Sequence, residues 1–206
     1  MRIKICGLFR DEDIDYVNEA RPDYAGFVFA ESKRQVSAVL AQYLRFRLAD
    51  DIAAVGVFVD APVAEVAALY HNGTISIAQL HGSEDEGYIS QLKKACDTNS
   101  KQPQLRLIKV IKSEALKNAV PATAADYYLV DSGSGSGKSF DWQYLNSVKF
   151  QKPWFLAGGI DIDNIEQAME LNPFAVDISS GAETDGIKDR EKILQLVSIV
   201  RKGNKQ

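Results

Sequence analysis

Cysteine is scarce in this chain. Cys6 and Cys96 are the only two in 206 residues, too few for the disulfide framework that staples small secreted domains. Histidine is equally sparse, with His71 and His81 alone, and no His, Cys, Asp or Glu group has metal-ligand spacing, so no metal centre is expected. Neither charge sign dominates: 24 Lys and Arg face 28 Asp and Glu, a net charge of −4. Without a basic patch interleaved with aromatics, a nucleic-acid partner is excluded. No apolar run approaches the ~18 residues of a membrane span. Asp11, Glu12 and Asp13 interrupt the amino terminus before a secretory h-region could form. These absences together lead us to expect a cytoplasmic protein without a membrane partner. A Gly-rich dinucleotide turn after the first strand is missing as well, and no cofactor is expected.

What is present is an ordinary globular balance, 46% apolar and 25% charged, enough to bury the core of one domain spanning 1–206. Short β-branched or aromatic runs recur: Ile3–Cys6, Tyr24–Phe29, Ala53–Val59, Ile75–Leu80, Leu105–Val110, Tyr127–Val130, Trp154–Ala157 and Ala175–Ile178. They repeat every ~20 to 30 residues, the length of a strand–helix unit. Between them lie helical patterns. Ser37 is the expected N-cap of a helix with Val39, Leu40, Tyr43 and Leu44 on one face. Ser83 with Glu86 reads as a capping box before Tyr88, Ile89, Leu92, Ala95 and Cys96, which makes Cys96 a buried helix residue. Ile193, Leu194, Val197 and Val200 form the last face. Eight such units without a composition break point to a single α/β domain, a (β/α)8 TIM barrel. The alternative, a doubly wound open sheet, would require the dinucleotide turn that is missing.

The chemistry collects at the carboxyl ends of the strands, where barrels place their sites. Side chains on a strand alternate faces, so Lys4 and Cys6 share one side of the first strand while Ile3 and Ile5 share the other. Glu31 to Arg34 follow the second strand, Gln79 and His81 end the fourth, and Asp131 ends the sixth. Gly158-Gly159 follow the seventh, and Asp177, Ser179, Ser180, Gly181 and Glu183 end the eighth. The glycine pair and the Ser179-Ser180-Gly181 turn occupy the positions where barrels commonly cradle a phosphate. Ser132 to Ser139 imitates a phosphate-binding P-loop, but Ser132 stands where that motif requires glycine; a loop closing over a ligand suits it better. Cys6 and Asp131 can serve as base and acid on two sides of one bound molecule, with Lys4 near enough to favour the thiolate. Blander roles stay open: a small buried hydrophobe for Cys6, a turn cap for Asp131 and a core histidine for His81. His71, beside Asn72-Gly73, reads as a helix-end or surface residue.

These residues resemble one known family. Lys4-Ile5-Cys6-Gly7-Leu8, Gly26-Phe27-Val28-Phe29 with Ser32-Lys33-Arg34, Gln79-Leu80-His81-Gly82, Asp131 with Gly135 to Trp142, Leu156-Ala157-Gly158-Gly159-Ile160 with Asn164, and Phe174 to Glu183 with Lys188-Asp189 fall in order along nearly the whole chain. Together they are similar to phosphoribosylanthranilate isomerase, a (β/α)8-barrel enzyme of tryptophan biosynthesis. The resemblance implies an isomerase whose partner is a small phosphorylated sugar–anthranilate, as monomer or homodimer. It implies Asp131 as general acid, Cys6 as general base, and Arg34 against the anthranilate carboxylate. It further implies Gly158, Gly159, Ser179, Ser180 and Gly181 at the phosphate, Asp177 at the sugar hydroxyls, and Gln79 and His81 in the pocket. Phe9 departs from the threonine usual in the family, and the stretch after Asp131 is short. Two competitors stay in view: a related phosphate-binding barrel enzyme, of the indole-glycerol-phosphate synthase or pentose-phosphate epimerase kind, and a non-catalytic phosphosugar-binding barrel. A depressed Cys6 pKa would favour catalysis over binding alone.

Overall fold

Strand alternation decides which side chains enter the middle of this molecule. The computed structural model describes residues 1–97, 103–113, 116, 120–131 and 142–203. Its strands are β1 (Arg2–Cys6), β2 (Tyr24–Val28), β3 (Ala53–Phe58), β4 (Ile77–Leu80), β5 (Arg106–Lys112), β6 (Tyr127–Asp131), β7 (Trp154–Ala157) and β8 (Ala175–Ile178). They pair in parallel in chain order and close on themselves, β8 returning to β1 with Lys4 opposite Asp177. The helices are α1 (Asp11–Ala20), α2 (Ala38–Arg47), α3 (Val63–His71), α4 (Glu86–Cys96), α5 (Ile165–Glu170) and α6 (Arg190–Gly203). A 3₁₀ helix, Trp142–Ser147, precedes β7. Among the described residues no helix is long and apolar enough to cross a membrane.

Alternate residues of each strand point into the barrel or out to the helices. Inward-pointing Tyr24, Val55, Ile77, Ile108, Leu129 and Phe155 fill the lower barrel as one apolar cluster, as a closed barrel of this size requires. Their outward neighbours, such as Ile5, Phe27, Val130 and Val176, join Ile14, Leu44, Ile193 and Leu196 in the layer between barrel and helices. β1 therefore has a polar face because Lys4 and Cys6 are its inward residues.

Three helix expectations need correction. On α2 the Ser37 hydroxyl does accept from the Leu40 N–H, but the buried face is Ala41 and Leu44; Val39 is 80% and Tyr43 48% exposed. The small Ala41 lets α2 approach the barrel, while Tyr43 and Arg47 reach across to Asp11. α4 starts at Glu86 with Asp85 as its cap, its carboxylate accepting from the Tyr88 N–H at 2.8 Å. Ser83 is taken, since its N–H and hydroxyl both donate to Asp60, and Ala95 is exposed, leaving Ile89, Leu92 and Cys96 as the buried face. On α6 Leu196 is buried in place of Leu194. β4 starts at Ile77 rather than Ile75, and β5 is shifted toward Lys112. The P-loop-like stretch 132–139 lies outside the described residues, as does most of the polar segment 97–104.

The β1–α1 connection rests on one carboxylate. Asp13 is fully buried and accepts from the Phe9 and Arg10 N–H groups at 3.0 and 3.1 Å and from the Arg10 guanidinium. Asp13→Ala orphans those donors, at a cost of about 2 kcal/mol. Thermal unfolding should then fall by roughly 4–8 °C, read by circular dichroism.

Candidate active site

The upper barrel opens into a cavity of about 270 Å³. Cys6, Gln79, His81, Asp131 and Asp177 enter from the strand ends, and Gly158, Gly159, Ser179 and Ser180 from the last two turns. Val57, Leu129 and Ala157 form its apolar floor. β6 lies three places round the eight-strand ring from β1, so Cys6 and Asp131 face one space from separated walls. Of the site residues that the resemblance implies, Arg34 and Gly181 do not line it.

Cys6 pairs in register with Gly26, and a Cβ at Gly26 would fall 2.7 Å from its sulfur. The thiol thus fits only because its neighbour has no side chain. Beneath it Lys4 is fully buried and donates to Asp177 Oδ2 at 2.7 Å. Burial pushes the Cys6 thiol above its ordinary value; Lys4 pulls it down and Asp177 pushes it up, and burial prevails. The depressed thiol that would have favoured catalysis over binding alone is therefore not found. The Lys4 pKa is raised as well: burial disfavours its charge, but Asp177 and Cys6 outweigh that and hold it as an ammonium.

Two buried acceptors point to a polar ligand. Asp177 Oδ1 and Gln79 Oε1 accept no hydrogen bond among the described residues, although their side chains are 7% and 3% exposed. Buried acceptors are rarely left so, and both residues line the cavity. At the end of β4, His81 Nε2 lies 3.4 Å from Asp131 Oδ2. The hydrogen bond to Asp131 raises the imidazole above its ordinary value of 6.5, against the opposing effect of burial.

The turns after β7 and β8 are shaped by backbone constraints. Gly158 and Gly159 have φ of 96° and 68°, which a side chain would strain. The Gly159 carbonyl accepts from the Asn164 amide. A Cβ on Gly181 would fall 1.9 Å from the Ile160 carbonyl oxygen. Gly181 thus lets the two turns touch and stands behind the cavity wall.

Arg34 is a neighbour of the cavity. Its stem lies against Gly7, where a Cβ would meet Cδ at 2.5 Å. Its Nε and Nη2 each donate to a carboxylate oxygen of Glu183 at 2.6 Å. Glu183 also accepts from Lys188, and Lys188 donates to the Ser179 carbonyl at 3.0 Å. Glu183 and Lys188 sit on β9 (Glu183–Thr184) and β10 (Ile187–Lys188), a hairpin turning at Asp185-Gly186, both at positive φ. Reading the sequence assigned no role to either residue, although Asp-Gly between short strand segments is a strong hairpin signal.

The family model for N-(5'phosphoribosyl)anthranilate (PRA) isomerase matches residues 3–199. This chain belongs to that family. The N-(5'-phosphoribosyl)anthranilate isomerase of Endomicrobium trichonymphae is 46% identical over 206 residues, 97% of this chain and 98% of the relative. Among solved structures, TrpF from Jonesia denitrificans superposes with a TM-score of 0.82 at 30% identity, covering 98% of this chain and 97% of that one. A phosphoribosyl anthranilate isomerase in complex with reduced 1-(o-carboxyphenylamino)-1-deoxyribulose 5-phosphate gives a TM-score of 0.76 at 26% identity, over 98% of this chain and 99% of that one. As a family member the chain is a TIM-barrel isomerase of tryptophan biosynthesis.

Two titrations test the electrostatics of the site. In a Cys96→Ala background, thiolate absorbance should show Cys6 titrating above an ordinary thiol. Lys4→Met should raise that midpoint further and Asp177→Asn should lower it, because the first removes the cation that favours thiolate and the second an opposing anion. Imidazole NMR should show His81 above 6.5, falling toward it in Asp131→Asn. By linkage, the stability this pair adds is complete below the ordinary imidazole value and is lost as pH rises through the raised midpoint.

Proposed function

We propose that this chain performs the Amadori rearrangement of N-(5'-phosphoribosyl)anthranilate by acid–base catalysis, with Asp131 as acid and Cys6 as base. The observation that carries the reading is the opening of a carboxyl and a thiol onto one cavity that also holds two buried acceptors without a hydrogen bond among the described residues. Asp131 gives a proton to the furanose ring oxygen, the bond from that oxygen to the anomeric carbon breaks, and the amine nitrogen supplies the electrons that make the Schiff base. The Cys6 thiolate then takes the proton from the adjacent sugar carbon, and the resulting enolamine tautomerises to the open-chain ketone. No electrons leave the substrate, so donor and acceptor of protons suffice.

The raised Cys6 pKa bears on this scheme in two opposed ways. Less thiolate is present at neutral pH, but each thiolate is a stronger base toward a carbon-bound proton. Lys4 limits the loss by favouring the charged sulfur. His81 stands beside the acid and holds a proton in the His81–Asp131 pair up to its raised midpoint.

Binding follows from the rest of the cavity. Asp177 Oδ1 and Gln79 Oε1 accept from the sugar hydroxyls. The Gly158-Gly159 and Ser179-Ser180 turns take the phosphate with backbone N–H groups and hydroxyls, with Gly181 allowing their contact. Arg34 takes the anthranilate carboxylate on the guanidinium edge that Glu183 leaves open. The reading extends to a cytoplasmic location, where a reduced Cys6 persists.

Cys6→Ser and Asp131→Asn should each lower kcat by at least about 10²-fold, the scale of a lost general base or acid, in a fluorescence assay of substrate consumption. Turnover near that of the unaltered protein in either variant rules the scheme out. Arg34→Ala should act mainly on KM, as loss of a ground-state contact does; a change confined to kcat would refute its assignment.

A further inference from the structure

Arg34 has two edges able to bind a carboxylate side by side, Nε with Nη2 and Nη1 with Nη2. Glu183 fills the first with two 2.6 Å bonds, so the second edge points wherever Glu183 turns the plane. The Glu183 side chain is 4% exposed and that of Arg34 29%. Lys188, fully buried, bonds the same carboxylate and the Ser179 carbonyl. Three charged side chains thus run without a break from Arg34 to the turn proposed to hold phosphate, and the hairpin carrying two of them turns through a tight pair at positive φ. Stability alone is a weak explanation for this run of charges, because the cost of desolvating such groups can exceed what their attraction returns. A rigid link between the two ends of a ligand does explain it, since a carboxylate and a phosphate on one molecule must be met at a set spacing.

We infer that Glu183 is a positioning residue: it orients Arg34 toward the substrate carboxylate and, through Lys188, ties that clamp to the phosphate turn. The inference rests on the proposed role of Arg34. Its consequence is discrimination between ligands that carry the ring carboxylate and otherwise identical ligands that do not.

The test measures dissociation constants of two probes, reduced 1-(o-carboxyphenylamino)-1-deoxyribulose 5-phosphate and its phenylamino counterpart without the carboxyl group. Glu183→Gln should weaken the first about tenfold and the second by less than about twofold, as expected when an oriented charged contact is loosened. In an Arg34→Ala background the same substitution should add less than about twofold for either probe, because there is nothing left to orient. Glu183→Asp keeps the charge that Lys188 needs but falls one methylene short of the fork, and it should reproduce the loss for the carboxylated probe; it decides the matter if Glu183→Gln does not fold. Equal weakening of both probes, or an undiminished effect without Arg34, overturns the positioning role and leaves Glu183 a structural tie. If Arg34→Ala itself fails to separate the probes, the carboxylate clamp falls first and the positioning role falls with it. Failure of the Glu183 variants alone removes only the latter.

Discussion

The site depends on one ion pair inside the barrel. Lys4 and Asp177 face each other where the first and last strands meet, with 0% and 7% of their side chains exposed. Each charge is costly there without the other; removing one partner of such a pair typically costs about 3–5 kcal/mol. The pair therefore marks the closure of the ring with a strong geometric requirement. It also sets the charges beneath the cavity, a cation that favours the Cys6 thiolate and a carboxylate with one oxygen committed and one open. Substrate contact and base strength are consequently adjusted by the same two residues, and neither can be altered alone.

Much of the architecture was legible in the chain. Eight aliphatic or aromatic runs at regular spacing, six of them leading into the polar or glycine residues named above, give a barrel whose mouth is chemically furnished. The alternation of Ile3, Lys4, Ile5 and Cys6 was enough to put the thiol inside. What misled was the surface of the helices. Val39 and Tyr43 fit an apolar helical stripe, yet the small Ala41 decides which side of α2 can approach the barrel. Ser83 and Glu86 have capping-box spacing, but the intervening Asp85 offers a stronger acceptor to the helix start.

Partnership across long separations was not legible. Lys4 and Asp177 are 173 residues apart, and Arg34 and Glu183 are 149 apart. Nothing in either segment says which opposite charge it will meet, because strand register and loop packing decide that only after folding. The same limit explains Arg34, whose guanidinium was expected to meet a ligand carboxylate and is already half used by Glu183. It explains the thiol too: the sequence shows a lysine two positions away, whereas the extent of desolvation emerges only once the barrel has closed around both.

The raised pKa of the Cys6 thiol has a further consequence, for chemical durability. Peroxides and soft electrophiles attack the thiolate far faster than the neutral thiol. A base kept protonated between turnovers is therefore shielded from oxidation by its own surroundings, without a second cysteine to rescue it. Covalent inhibitors would meet the same barrier, so reactivity toward sulfur would serve them less than a fit to the cavity that brings them to it.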